Sequence, residues 1–445
     1  MPERSRAWVA LALVGLIAAT AALMSLARAD ACALDPRRPH TYEGDQVRQA
    51  YLSAIDAASV NALFPGDPYF GLPGAETGAR TARTDGPAVI PSVLLKAIAW
   101  VESDMTMASR SVSFNSIGDA LISFDCGHGI MQITTGMTLP LGDGGRATDR
   151  QVLVATHYVY NVARGAYMLV DKWNQAPEFR PIAGTDTGAN PLLVENWYYA
   201  VWSYNGFTGP GSTRSNHPAD ATFTWPRPAY RCDGTQSRGR YPYQELVWGC
   251  MANPPARNGQ QLWQPVVATL PDLTRPEFNT PLNVNRFQYP YVQMDMPTPA
   301  PAHLATPASL PAGYRERALA SPALSITGSS SITLQTNGPP AQQTARVSIR
   351  NAGTGVLTWY ATTSDNFLIL TPPAGAAVGG DVPCTTSGCP NGTLTISVNP
   401  TLLPRARATG QITIASPNSS AAPVVISVQV VADFEVGTPG TSRAR

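Results

Sequence analysis

One glutamate of this chain lies where it could act as an acid. Leu95 and Ile98 precede Glu102 by seven and four residues, so a helix beginning near Pro91 carries the Glu102 carboxyl on an otherwise apolar side. Burial raises the pKa of a carboxyl group because it disfavours the charged form. A carboxylic acid that stays protonated near neutral pH can protonate the leaving oxygen of a glycosidic bond. The competing interpretation of Glu102 alone is a solvated residue at a frayed helix end.

Three short segments give Glu102 a context. The chain contains Trp100-Val101-Glu102-Ser103, then Gly129-Ile130-Met131-Gln132, then Ser203-Tyr204-Asn205-Gly206, in that order. This order resembles the soluble lytic transglycosylase family, whose lysozyme-like α-helical fold is shared with the goose-type lysozymes. The resemblance covers roughly residues 85–210 and implies peptidoglycan glycan strands as the substrate, with no cofactor.

The resemblance also implies a role for each motif residue. Glu102 would protonate the glycosidic oxygen of the bond between N-acetylmuramic acid and N-acetylglucosamine. As a base it would then take a proton from the 6-hydroxyl of the sugar, giving a 1,6-anhydro product. Ser103 would contact substrate or hold the carboxyl, Tyr204 would hydrogen-bond the glutamate from the opposite wall, and Asn205 would complete the cleft.

The Gly-x-Met-Gln turn would form part of the substrate-binding surface. Gly129 has no Cβ and would let the backbone approach the sugar closely. Met131 would offer a polarizable apolar surface, and the amide of Gln132 would bind acetamido and hydroxyl groups.

The chain departs from the family pattern at two places. Ser203 stands where alanine is more usual, and the interval from Glu102 to Gly129 is longer than expected. The longer interval contains Asp119 and Asp125. A second carboxylate across the scissile bond could activate water, which would make the enzyme a hydrolytic muramidase. The alternative interpretation of Asp125 is a turn residue.

Composition excludes several other classes of function. The net charge of the 445 residues is only +1, and no arginine cluster alternates with aromatic residues, so nucleic acid is not an expected partner. The five histidines are scattered and no Cys-x-x-Cys pair recurs, so no metal site is predicted. A catalytically silent wall-binding or adhesion protein remains as the hypothesis from a different class.

The first 29 residues predict export. Arg4 and Arg6 precede an uncharged run from Ala7 to Leu26, and the small-x-small sequence Ala27-Arg28-Ala29 follows it, a pattern typical of a cleaved signal peptide. The run is long enough that an uncleaved N-terminal membrane anchor is an open alternative. Six cysteines suit an oxidising compartment, extracellular or in the cell envelope. Spacing makes two disulfides candidates, Cys232 with Cys250 and Cys384 with Cys389, and leaves Cys32 and Cys126 as a less certain pair.

The chain divides at a proline-rich stretch. We expect a multidomain protein with a mainly α-helical, lysozyme-like domain at 30–294, made of a core at 85–210 and a loop-rich extension at 211–294. One long helix is predicted over 150–174. Residues 295–322 are expected to be an extended Pro/Ala-rich linker. Period-two alternation over 323–434 predicts an all-β immunoglobulin-like sandwich, with 435–445 as a flexible tail. A carbohydrate or wall component is the expected ligand of the sandwich, by analogy of fold alone.

Overall fold

A computed structural model of the chain describes residues 32–34, 37–44, 46–138, 146–208, 215–224, 226–272, 274, 293–337, 339–384 and 389–432. The expected signal or anchor at 1–29 and the expected tail at 435–445 lie outside the described residues, as do parts of the 211–294 extension. The protein is multidomain and mixes helices with sheets. Among the described residues no helix is long and apolar enough to cross a membrane.

Six α-helices form the framework of the described amino-terminal part. They are α1 (Gln49–Ser59), α2 (Ser92–Ser103), α3 (Asp149–Thr156), α4 (Tyr158–Phe179), α5 (Tyr198–Tyr204) and α6 (Tyr243–Ala252). Short 3-10 turns cover Thr185–Thr187, Val194–Trp197 and Arg238–Arg240. Three small two-stranded sheets accompany them, formed by β1 (His40–Glu43) with β2 (Ser116–Asp119), β3 (Pro181–Ala183) with β6 (Met294–Met296), and β4 (Ala256–Arg257) with β5 (Gln260–Gln261).

The helix predicted over 150–174 is two helices, α3 and α4. His157 between them has extended backbone angles, and its ring Nδ1 accepts a hydrogen bond from Val159 N–H as an N-cap. Thr148 and Gln151 form a capping box at the start of α3. The apolar stripe continues across the break, and for that reason periodicity alone predicted one helix.

Aromatic side chains fill the centre of the helical part. Trp197, Tyr198 and Trp202 are fully buried. They belong to the same buried core as Leu94, Leu95 and Ile98 of α2, which are also fully buried. The helix carrying Glu102 is held in this core chiefly by its contacts with α6 and α1.

The Pro/Ala-rich stretch differs from the expected extended tether. Its beginning, β6, pairs in parallel with β3, and it includes the helix α7 (Tyr314–Leu319). His303 N–H donates to Glu195 Oε2 at 2.8 Å, and Arg315 Nε donates to Leu63 O at 2.9 Å. Prolines remove donors, but the remaining polar groups find partners on the helical part, so the stretch lies along that surface.

The carboxy-terminal part is a two-layer β structure. One sheet has the order β12-β10-β14-β15-β8 and the other the order β11-β13-β9-β7. Trp359 is fully buried in the core that the two sheets share. The elements are β7 (Leu324–Thr327), β8 (Ser331–Gln335), α8 (Pro340–Gln343), β9 (Thr344–Asn351), β10 (Val356–Thr363), β11 (Leu368–Thr371), β12 (Ala374–Val378), β13 (Gly392–Val398), a 3-10 turn (Pro400–Leu402), β14 (Arg407–Ala415) and β15 (Val424–Val431).

The two parts are docked on each other. Tyr42 OH donates to Pro383 O at 2.7 Å, and the hydroxyls of Thr156 and Thr358 lie 3.2 Å apart. Tyr42 also packs in an apolar cluster with Val356, Ala376 and Val378 of the β structure. Beside this junction lie two cavities of about 570 and 550 Å³, and Glu102 lines neither of them.

All six cysteines are paired. The disulfides are Cys32–Cys126, Cys232–Cys250 and Cys384–Cys389, so both pairs predicted from spacing and the less certain third pair are confirmed. Three disulfides are compatible with an exported protein.

Candidate functional site

Glu102 lies in the last turn of α2, at a fixed helix end. Asp104 takes the left-handed conformation there, and its N–H donates to Trp100 O while Met105 N–H donates to Ala99 O. These bonds close the helix C-terminus in place of the missing next turn. Arg238 donates to Val101 O and to the Asp104 carboxylate, which fixes the same end from outside. Glu102 is consequently a positioned side chain and not part of a frayed end.

The turn at residues 129–132 is fastened to the end of α2 and to α4. The Ser103 hydroxyl is buried and lies 2.8 Å from Ile130 O. From α4, Asn161 accepts a hydrogen bond from Met131 N–H at 2.9 Å and donates to His128 O at 2.8 Å. Ser103 therefore joins Glu102's helix to the turn, whereas Asn161, which sequence reasoning missed, holds the turn from behind.

Gly129 is required by close packing within the protein. Its φ is +66°, and a Cβ added there would come within 2.7 Å of both Asn161 Nδ2 and Met107 Sδ. A larger residue would push this turn away from α4. The close approach at Gly129 is thus to the protein's own core, where the sequence predicted an approach to a sugar.

Two tyrosines enclose the Glu102 carboxyl. Tyr243, the first residue of α6, donates its hydroxyl to Glu102 Oε1 at 2.5 Å. Tyr204, at the end of α5, donates to Met131 O at 2.8 Å, and burial, followed by the charge of Glu102, raises its pKa well above the usual value. Tyr204 thus lies near Glu102, but its hydroxyl is bonded to the turn and does not make the hydrogen bond to the glutamate that the sequence predicted. The direct phenol contact comes from Tyr243, which sequence reasoning placed in a loop-rich extension with no established role.

The surroundings make Glu102 a weak acid. Burial is the main cause that raises its pKa to about 7, although the residue keeps partial exposure to solvent. The hydrogen bond from Tyr243 acts in the opposite direction because it favours the carboxylate, and the negative charge of Asp125 raises the pKa further. A group with a pKa near neutrality can both give and take a proton at physiological pH.

The other motif residues differ in how far they face solvent. The side chain of Met131 is fully buried, against Gly165 of α4, so it supports the turn from inside. Gln132 is partly exposed and its amide donates to Gly129 O at 2.8 Å. Asn205 is exposed and its side-chain oxygen accepts from Asn216 at 2.7 Å. Gln132 and Asn205 therefore remain the motif side chains placed to meet a ligand.

The two candidate second carboxylates lie in different places. Asp125 is exposed on a turn that precedes Gly129, and its charge reaches Glu102. Asp119 ends β2, and its carboxylate lies 3.2 Å from Nε2 of His40 in β1, an imidazole whose pKa is lowered by burial. Asp125 is thus near the Glu102 carboxyl, whereas Asp119 is engaged in the β1–β2 sheet.

The buried carboxylate of Glu43, which sequence reasoning missed, supports the segment that follows Glu102. Glu43 Oε2 accepts hydrogen bonds from the N–H groups of Met107 and Ala108 at 3.0 and 2.9 Å, and Glu43 Oε1 pairs with Arg48 at 2.8 Å. The ion pair is almost fully buried, at 3% and 1% side-chain exposure. It holds the segment after Glu102 whose Met107 packs against Gly129. No local pattern distinguishes such a glutamate in the sequence.

Metal-ligating side chains do not cluster in the described part of the chain. No group of three or more His, Cys, Asp or Glu residues lies within reach of one ion there. His128, next to the turn, is buried, and burial lowers its pKa to about 4, so it is a neutral structural residue.

Comparisons with known proteins leave the family open. No family model and no curated protein matches the chain. The solved structures with some similarity include the YadV chaperone (12% identity over 26% of this chain and 55% of that one, TM-score 0.19) and the E. coli chaperone DraB (12%, 25% and 56%, TM-score 0.19). A third is WR4, an MSP family member from C. elegans (14%, 24% and 96%, TM-score 0.17). The chain thus spans little more than half the length of the two chaperones, and these TM-scores are too low to support an assignment of fold or function.

Proposed function

We propose that this protein is an exported peptidoglycan lytic transglycosylase with Glu102 as its acid and base. The observation that carries the proposal is the Glu102 carboxyl, whose pKa is raised to about 7 and which receives the Tyr243 hydroxyl beside the 129–132 turn. The order of the three motifs and the contacts that join them support the same assignment. A protein that only binds glycan has no need for a carboxyl group with a raised pKa.

The proposed reaction uses one carboxyl group twice. Protonated Glu102 donates its proton to the glycosidic oxygen, and the bond from that oxygen to C1 of the muramyl sugar breaks. The Glu102 carboxylate then takes the proton of the 6-hydroxyl as that oxygen bonds to C1. The products are a free 4-hydroxyl and a 1,6-anhydro ring, and the carboxyl group regains its proton. Tyr243 keeps the carboxyl oriented through both steps.

A hydrolytic muramidase is the second candidate, and the position of Asp125 favours it. Its charge reaches Glu102, and its exposed carboxylate could activate water on the opposite face of the sugar. The turn that carries Asp125 departs from the family pattern, so the family resemblance does not decide between the two reactions.

Muropeptide analysis tests the function. Purified sacculi digested with residues 30–445 should release soluble fragments with anhydro-muramyl ends, lighter by one water than reducing ends. Glu102→Gln should abolish release, whereas Glu178→Gln, which alters an exposed carboxylate at the far end of α4, should not. Reducing ends that vanish in Asp125→Asn would establish the hydrolase. No release from the unaltered protein would favour a wall-binding or adhesion protein.

A further inference from the structure

Two arginines lie against one tyrosine ring on the surface of the helical part. Cζ of Arg164, on α4, lies 3.9 Å from the centre of the Tyr69 ring, and Cζ of Arg150, on α3, lies 4.8 Å from the same centre. Arg164 Cζ also lies 4.4 Å from the centre of the Tyr167 ring, which is three residues further along α4. Arg150 is exposed and Arg164 is half-buried, so two positive charges share a small area of surface.

Neither arginine is neutralised by a carboxylate in the part of the chain that the structure describes. The arginine ion pairs formed there involve other residues. Arg164 makes one hydrogen bond with the described residues, from Nη1 to Tyr69 O at 3.0 Å, and its Nε is buried without a partner. Arg164 Nη2 therefore keeps donors for a ligand. A guanidinium with unused donors suits a carboxylate, which can accept two parallel N–H bonds.

The protein holds the Arg164 guanidinium in place before any ligand arrives. The planar group packs on phenol rings from two separate segments, and such cation–π contacts favour one orientation. Asp67 fixes the segment of Tyr69, since its side chain accepts from the N–H groups of Tyr69 and Phe70 at 2.7 and 2.8 Å. A side chain that is already positioned loses less conformational freedom on binding, which favours affinity.

The arginine cluster borders the candidate site. A Cβ placed on Gly136 would lie 3.4 Å from the Tyr69 hydroxyl, so Tyr69 lies beside the segment that follows the 129–132 turn. Tyr204, whose hydroxyl is bonded to that turn, is half-buried like Arg164. Burial is the main cause that raises the pKa of Tyr204, and the positive charge of Arg164 opposes this rise. Arg164 is therefore near enough to act on a phenol that the candidate site contains.

A carboxylate of the substrate is the ligand that fits these unused donors. N-acetylglucosamine carries no charge, whereas the peptide attached to a muramyl sugar carries free carboxylates. We propose that Arg164, assisted by Arg150, binds a carboxylate of the stem peptide on a muramyl sugar held at the Glu102 site. This inference rests on the proposed function and names the part of the substrate that the same site recognises. The protein would then prefer peptide-bearing strands to strands without peptides.

Binding measured without turnover tests the carboxylate site. In a Glu102→Gln background, isothermal titration with a GlcNAc-MurNAc tetrasaccharide that bears L-Ala–D-Glu dipeptides should give a Kd that Arg164→Gln raises about ten-fold. The same tetrasaccharide with methylamides in place of its carboxyl groups should bind the parent about ten-fold more weakly. Arg164→Gln should change the Kd of this amide ligand by less than about two-fold, because the ligand has no carboxylate to lose.

Two controls separate charge recognition from other effects. Arg350→Gln, which removes an exposed arginine of β9, should leave the Kd of the acid ligand unchanged. A tetrasaccharide without peptides carries its carboxylate on the lactyl group, and it should bind the parent as weakly as the amide ligand. Affinity equal to that of the acid ligand would assign the contact to the lactyl group and overturn the peptide site.

The remaining outcomes distinguish this inference from the proposed function. If Arg164→Gln raises the Kd of the acid and amide ligands alike, the substitution acts through the packing of Tyr69, and the carboxylate site fails. Equal binding of the two ligands by the parent would also overturn the site, while release of muropeptides by the unaltered protein would leave the proposed function standing. If the parent binds none of the ligands and the unaltered protein releases no muropeptides, both proposals fail.

Discussion

The Glu102 carboxyl and its neighbours Tyr243 and Asp125 determine the chemistry proposed for this protein. Burial and Asp125 raise the pKa of Glu102, and the hydrogen bond from Tyr243 lowers it, with a balance at about 7. Because the protonated form must donate to the leaving oxygen, glycan turnover should fall as the pH rises through about 7. A turnover rate that is constant across this range would contradict the role of acid.

Substitutions of Tyr243 and Asp125 should shift the alkaline limit, the pH at which turnover falls, in opposite directions. Tyr243→Phe removes a hydrogen bond that favours the carboxylate, so the pKa of Glu102 and the alkaline limit should rise, while turnover falls about ten-fold because the carboxyl is less well oriented. Asp125→Asn removes a negative charge, so the limit should move to lower pH. Turnover profiles of sacculi against pH measure both shifts.

A nearby tyrosine supplies the control for these profiles. Tyr241 accepts a hydrogen bond from Gln236 and has no bond to Glu102, so Tyr241→Phe should leave the limit where it is. If Tyr241→Phe and Tyr243→Phe shift the limit equally, the effect is not transmitted through the Glu102 hydrogen bond.

At the scale of elements, the sequence predicted what depends on local periodicity. The α2 helix with Glu102 near its end and the alternation of the β strands both follow from spacing of a few residues. The contact between Tyr243 and Glu102 joins positions 141 residues apart, and nothing near either residue indicates it. The same holds for Glu43, which precedes α2 in the chain, whereas its partners Met107 and Ala108 follow α2.

The sequence of α6 contains a helical pattern of apolar residues that the surrounding composition obscures. Leu246, Val247, Cys250 and Met251 are buried at helical spacing after Pro242, yet the surrounding prolines and glycines favoured an interpretation as loops. Arg227 pairs with Glu245 of this helix in a buried contact, and Cys232–Cys250 fastens it to the preceding loop. These two bonds place Tyr243; cysteine spacing predicted the disulfide, but nothing in the segment's composition indicates the pairing of Arg227 with Glu245.

The Cys32–Cys126 disulfide should contribute more to stability and to turnover than the Cys384–Cys389 disulfide. It joins residues 94 positions apart and ties the turn before Gly129 to the amino-terminal segment, where Ala33 N–H also donates to Met137 O. Replacing both cysteines with serine should lower the free energy of unfolding by about 2–4 kcal/mol and reduce turnover, since the 123–127 turn loses its anchor. Urea denaturation and sacculus digestion measure the two effects.

The Cys384–Cys389 pair provides the comparison. It closes a span of only five residues in the β structure, so its replacement should cost less stability and leave turnover unchanged. Equal loss of turnover in both double variants would show that the cysteines act only through global stability.

At the scale of the whole molecule, the junction connects the β structure to the Glu102 site through a short path. Tyr42 contacts Pro383 and the Val356–Ala376–Val378 cluster, and the next residue, Glu43, holds the segment that follows Glu102. The β structure thus supports the Glu102 site through Tyr42 and Glu43, in addition to binding any ligand of its own. A freely tethered domain would have neither of these contacts.

Ala376→Arg should separate the two parts. Ala376 is fully buried in the junction cluster, and an unpaired charge there would be costly enough to open the interface. We expect the unaltered protein to unfold in one calorimetric transition and the variant in two, with lower glycan turnover because Tyr42 and Glu43 lose their support. Val425→Arg, at a half-exposed position of β15, introduces the same charge without touching the junction and should retain the single transition. Two transitions in the unaltered protein would mean that the parts unfold independently, and the path from the junction to Glu102 would then carry no stability.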